Sequence, residues 1–95
     1  MSAATPAVST ENDQVRVTTW TFSEPGAATG QHHHDLAYIV VPVTGGTFQV
    51  ADADGSEHTM TQVAGEPYVR PAGATHDVIS TSAQPAVFVE IELKR

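Results

Sequence analysis

Four of the five histidines fall in two short clusters, the run His32, His33 and His34, and His76 in the segment Pro71-Ala-Gly-Ala-Thr-His. Imidazole is the commonest protein ligand for a transition metal. In an extended segment, side chains two apart share a face, so His32 and His34 point together and His33 points away. His76 must then arrive from a neighbouring strand to close a triangle. Three imidazoles would hold an ion at roughly 2.0–2.2 Å and leave positions open for water or substrate. Open positions mark a catalytic or ligand-binding metal rather than a structural one. The plainer alternative, surface histidines in loops, suits His58, which is expected to be exposed in a hairpin arm.

The elements that must position these groups are strands. Gln14 to Glu24 is rich in β-formers, with Val15, Val17, Thr19 and Thr21 alternating against Arg16, Thr18, Trp20 and Phe22. A Gly and Ala loop from Pro25 to Gly30 leads to the histidines. Leu36 to Val43 and Thr47 to Ala51 are the next strands, and Asp52-Ala-Asp-Gly55 turns the chain back into Glu57 to Gln62. Tyr68 to Arg70, Asp77 to Thr81 and Ala86 to Leu93 complete the set. Along the last strand Val87, Val89, Ile91 and Leu93 share one face, and Phe88, Glu90 and Glu92 the other. No twelve-residue window has helical periodicity, so the pattern predicts an all-β sandwich or barrel. Trp20, Phe22, Phe48 and Phe88 are its expected core. Residues 1–12 lack any period and are expected to be a flexible arm before a single domain over 13–95.

Composition narrows the function. Ninety-five residues make one domain with a modest core, which favours a homodimer. Eleven acidic against four basic residues give a net charge of −7, which argues against nucleic acid and against an anionic membrane surface as partners. Cysteine is absent, so disulfides, thiolate metal sites and cysteine nucleophiles are excluded. Met1 to Ala7 has neither the basic start nor the apolar centre of a signal peptide, and the expected setting is the cytoplasm.

At this point the spacing becomes specific. Gly26-x5-His32-x-His34-x3-Tyr38-x6-Gly45 and Gly65-x5-Pro71-x-Gly73-x2-His76 resemble the two cupin motifs, with Ser80 where the second usually closes on Asn. The chain is thereby identified as similar to a small single-domain cupin, which implies a double-stranded β-helix, or jelly-roll, barrel. The strings 38–46 (YIVVPVTGG), 68–78 (YVRPAGATHDV) and 87–94 (VFVEIELK) further resemble the small cupins named for β-alanine degradation. That name suggests a small carboxylate as substrate.

The resemblance implies His32, His34 and His76 as ligands of one divalent transition metal per chain. Iron is the first choice, and zinc, nickel, copper or manganese remain open. Cupins commonly place a glutamate ligand where this chain has Tyr38. Tyr38 is the candidate catalytic residue, donating a hydrogen bond to substrate or to a bound oxygen; ligation as a phenolate and plain packing are the alternatives. Without the carboxylate, three neutral imidazoles leave the cation's charge intact, which favours a carboxylate, enolate or thiolate ligand. Three-histidine cupins include iron dioxygenases acting on thiols and β-diketones. The expected function is therefore oxygen-dependent oxidation of a small anionic molecule. A non-redox lyase or isomerase, and a binding module without catalysis, stay as rivals. Arg70 is a candidate for binding a substrate carboxylate, against a surface salt bridge. Glu90 is a candidate acid or base beside the site, against a solvated edge position.

Overall fold

The computed structural model describes residues 2–95. Nine strands form two antiparallel sheets: β1 (Thr5–Glu11), β2 (Val15–Phe22), β3 (His32–His33), β4 (Tyr38–Pro42), β5 (Gly46–Asp52), β6 (Glu57–Gln62), β7 (Tyr68–Arg70), β8 (Thr75–Ser80) and β9 (Ala86–Leu93). One sheet has the order β1-β2-β9-β4-β7, and the other β3-β8-β5-β6. There is no helix among the described residues, in keeping with the all-β expectation.

Period-two alternation sorts the five-stranded sheet into two different surfaces. Thr18 and Phe22 of β2, Tyr38, Val40 and Pro42 of β4, and Ala86, Phe88 and Glu90 of β9 face inward and are buried. Their neighbours Val15, Val17, Ile39, Val41, Val87, Val89, Ile91 and Leu93 face outward and stay half-buried. The valine-rich face of the last strand is thus the outside of the barrel, while the face carrying Phe88 and Glu90 lines its interior. Phe22, Phe48 and Phe88 close the middle of the core, with ring centroids 5.2 to 5.8 Å apart. Packed rings of this kind are worth about 3–5 kcal/mol each against truncation to alanine.

Two expectations about elements change. Leu36 to Val43 shortens to Tyr38–Pro42, and Val43 is 53% exposed. The expected flexible arm contains a strand: β1 runs antiparallel to β2, from Thr5 opposite Thr21 to Glu11 opposite Arg16. The chain is pegged further back as well, because the Ala4 N–H donates to the Ala28 carbonyl at 2.8 Å. All seven residues of β1 are exposed, and backbone pairing with ion pairs from Glu11 to Arg16 and Lys94 holds it, so no apolar side-chain period announces it. Pro6 is tolerated because the strand lies at a sheet edge. Met1 lies outside the described residues.

Candidate metal centre

The loop before β3 and the start of β8 bring the histidines together. In the β3–β8 ladder His32 lies opposite His76, and His33 opposite Thr75. His34 follows the strand and is clamped at its backbone: its N–H donates to the Ala74 carbonyl and its carbonyl accepts from the Gly73 N–H, both at 2.8 Å. Gly73 makes this clamp with φ at +108°, a conformation that side chains disfavour. The turn that reverses the chain into β8 therefore also fixes the middle ligand.

The three imidazoles converge on one point. Nε2 of His34 lies 3.0 Å from Nε2 of His32 and 3.2 Å from Nε2 of His76. At 2.0–2.2 Å from a shared ion, nitrogens at right angles would be about 3.0 Å apart and tetrahedral ones about 3.4 Å apart. Both spacings fall in the range that two imidazoles sharing one ion would show. No Asp or Glu joins the cluster among the described residues. His32 is set for ligation because its Nδ1 lies 2.9 Å from the Gly30 carbonyl and 3.2 Å from the Thr29 hydroxyl. A proton on Nδ1, donated to that carbonyl, leaves Nε2 with its lone pair inward. Burial, reinforced by the neighbouring His32 and His76, lowers His34 to about 4, and burial also lowers His76. Both are neutral at pH 7, the form a metal needs. The donor set therefore fits a divalent transition metal.

His33 turns outward, exposed, and its Nδ1 lies 2.6 Å from the Thr75 hydroxyl. Asp77 also stays out of the cluster, but its carboxylate accepts from the Gly30 N–H at 3.1 Å. Asp77 thereby holds the loop whose carbonyl orients His32. Neither Thr29, Gly30 nor Asp77 was visible as a site residue in the sequence, since backbone carbonyls and the loops that carry them have no side-chain signature.

Beside the cluster lies a cavity of about 460 Å³, a size suited to a small molecule. Tyr38 stacks face to face on His34, with centroids 3.9 Å apart and planes 18° apart. Burial, and next the nearby Glu90 carboxyl, push its phenol up to about 12, so it keeps its proton. Trp20 stacks on His32 at 6.2 Å. Arg70 reaches the cavity but makes no ion pair among the described residues; its guanidinium lies 4.5 Å over the Tyr68 ring and donates to the Val69 carbonyl. Glu90 is 8% exposed and lines the cavity, so it does not sit at a solvated edge. Burial, and next the like charge of Glu92, raise it to about 7. His58 is exposed at the cavity mouth, 3.4 Å from the Asp52 carboxylate.

The comparisons agree with this geometry. No family model matches the chain. The beta-alanine degradation protein BauB of Pseudomonas aeruginosa is 47% identical over 91 residues, covering 96% of this chain and 94% of its own. The crystal structure of a cupin domain from Bordetella pertussis Tohama I is 41% identical, with a TM-score of 0.92 over 99% of this chain and 96% of that one. A double-stranded β-helix protein from Klebsiella pneumoniae, 18% identical, shares the fold at a TM-score of 0.76, over 97% of this chain and 77% of that one. With its two motifs, its two facing sheets and its three convergent imidazoles, the chain belongs to the cupin family, alongside BauB.

Proposed function

We propose that the protein is a mononuclear metal-dependent enzyme that oxidises a small anionic substrate with molecular oxygen. The observation that carries this reading is the all-imidazole cluster, which gathers no carboxylate and leaves the cation's charge unreduced. Iron is the preferred metal for the oxygen chemistry proposed, and zinc, nickel, copper or manganese suit the same all-imidazole donor set. When bound, such an ion supplies a Lewis-acid centre and a place where substrate and oxygen meet.

The chain's own residues bind and orient. His32, His34 and His76 hold the ion, and Gly30, Thr29 and Asp77 keep the His32 ring in register. Tyr38 stays protonated against His34 and is a hydrogen-bond donor for negative charge developing on the substrate. Arg70 contributes positive charge at the cavity wall, where a carboxylate tail would enter. The name of BauB supports a small carboxylate as the substrate class.

We further propose a homodimer in the cytoplasm. The outward face of β2, β4 and β9 carries Val15, Val17, Ile39, Val41, Val87, Val89, Ile91 and Leu93 without a charge among them. Two chains of net charge −7 can meet there without opposing their acids. Ile91→Lys should convert the dimer to monomer in light scattering, and a wild-type monomer at micromolar concentration contradicts the assignment.

Oxygen uptake tests the chemistry. The iron-loaded protein is supplied with a panel of small mercaptocarboxylates and 1,3-diketones in an oxygen electrode. Uptake that matches product formation and vanishes in His76→Ala supports the oxidase reading. Turnover that persists under nitrogen identifies a lyase or isomerase instead, and binding without product under either gas identifies a binding module.

A further inference from the structure

Glu90 is an acid on the inward face of the cavity wall that has no cationic partner among the described residues. It follows Ala86 and Phe88 on the buried face of β9, opposite Thr18 of β2 and Val40 of β4. Among the described residues no Lys, Arg or His forms an ion pair with it. Its surroundings are the Trp20 indole N–H from β2, the Tyr38 phenol from β4, the Tyr68 phenol from β7, and Glu92 on its own strand. Arg70, a cation lining the same cavity, is held over Tyr68.

An unpaired carboxyl in such a place opposes folding, and an apolar residue would fill the position at less cost. Buried, perturbed acids in clefts are characteristic of functional sites. Register places Glu90 diagonally from Tyr38, since Tyr38 lies opposite Glu92 and Val40 opposite Glu90. Diagonal neighbours in a sheet are about 7–8 Å apart, and the Tyr38 ring in turn covers His34. Trp20 spans the same interval, touching His32 at one end and Glu90 at the other. The cavity therefore has a cation site at the imidazoles and, on its β9 wall, an acid that no cation neutralises.

We propose that Glu90 anchors an amino group of the substrate, so that the natural ligand is a short-chain amino anion whose acidic end meets the metal. This rests on the metal-site reading above and narrows its substrate class. The carboxylate then goes to the metal rather than to Arg70, and Glu90 selects for the amine. A site built around a polar partner strongly rejects analogues that lack it, because the buried group is left unpaired.

Trp20 is the sole tryptophan and lines the cavity, so its fluorescence reports occupancy without any need for turnover. Full-length zinc-loaded protein is titrated with 3-aminopropionate and with propionate, and the pair is repeated on Glu90→Gln. The expected result is at least tenfold tighter binding of 3-aminopropionate by the wild type. Glu90→Gln should bring the two ligands within about twofold of each other, chiefly by weakening 3-aminopropionate. No preference in the loaded wild type, or an equal preference in Glu90→Gln, overturns the assignment. Metal content is measured on the same samples. A chain that takes up no metal overturns the metal-site reading and this one together, whereas a loaded site indifferent to the amine overturns only the role of Glu90.

Discussion

The two walls of the cavity are built on different principles. The histidine wall is local: two ligands come from a three-residue run, the third lies opposite in the ladder, and backbone hydrogen bonds at Gly30, Gly73 and Ala74 fix the geometry. The facing wall is assembled from single side chains on separate strands, Trp20, Tyr38, Tyr68, Arg70 and Glu90. The first wall is stiff and can be shared by proteins of different chemistry. The second is where a substrate is chosen, and a change there alters preference without dissolving the site.

The largest expected difference between the walls concerns the metal itself. Adding a divalent metal at a thousand times its dissociation constant should stabilise the fold by about 4 kcal/mol. Chelation should reverse this, and thermal melts of loaded and stripped protein check it. The same gain in His34→Ala would mean that the histidine wall is not where the metal binds.

Glu90 provides the next effect, and it belongs to the other wall. The folded chain holds this carboxyl near 7 against an ordinary 4.5, so folding favours its protonated form. The favourable contribution is complete below pH 4.5 and is lost as pH rises through 7. Over that window the stability of the wild type relative to Glu90→Gln should fall by roughly 3 kcal/mol. Urea titrations of the two metal-free proteins at pH 4.5, 6 and 8 measure it; parallel curves would place the carboxyl in water.

A smaller change tests how the histidine wall is supported. Asp77→Ala removes the acceptor of the Gly30 N–H and should weaken metal binding about tenfold without abolishing it. Competition with a chromophoric chelator reads this directly. Thr29→Val should do less, about threefold, because the Gly30 carbonyl still accepts from His32 at the shorter distance. An effect of Thr29→Val larger than that of Asp77→Ala would reverse the order of these supports.

The contrast between the walls also explains what the sequence could reveal. His32 and His34 are legible because a spacing of two on a strand fixes a shared face, and His76 because its Pro-x-Gly turn repeats a recognisable spacing. Glu90 is half legible: alternation pairs it with Phe88, but which face looks inward depends on register with β2 and β4, which one chain does not declare. The valine face of the last strand is apolar yet lies outside, because aromatic rings fill the barrel interior, as expected for Phe22, Phe48 and Phe88. β1 left no trace, since an edge strand held by its backbone needs no apolar period. Asp77 reads as a surface acid until the loop at Gly30 folds back onto it.

In the proposed centre three imidazoles, and no carboxylate, hold one metal ion in each chain. Metal analysis of untagged wild-type protein and of His76→Ala, after identical loading and desalting, tests it most directly. One ion per wild-type chain and essentially none in the variant is the expected result, and equal occupancy of the two would rule out this centre.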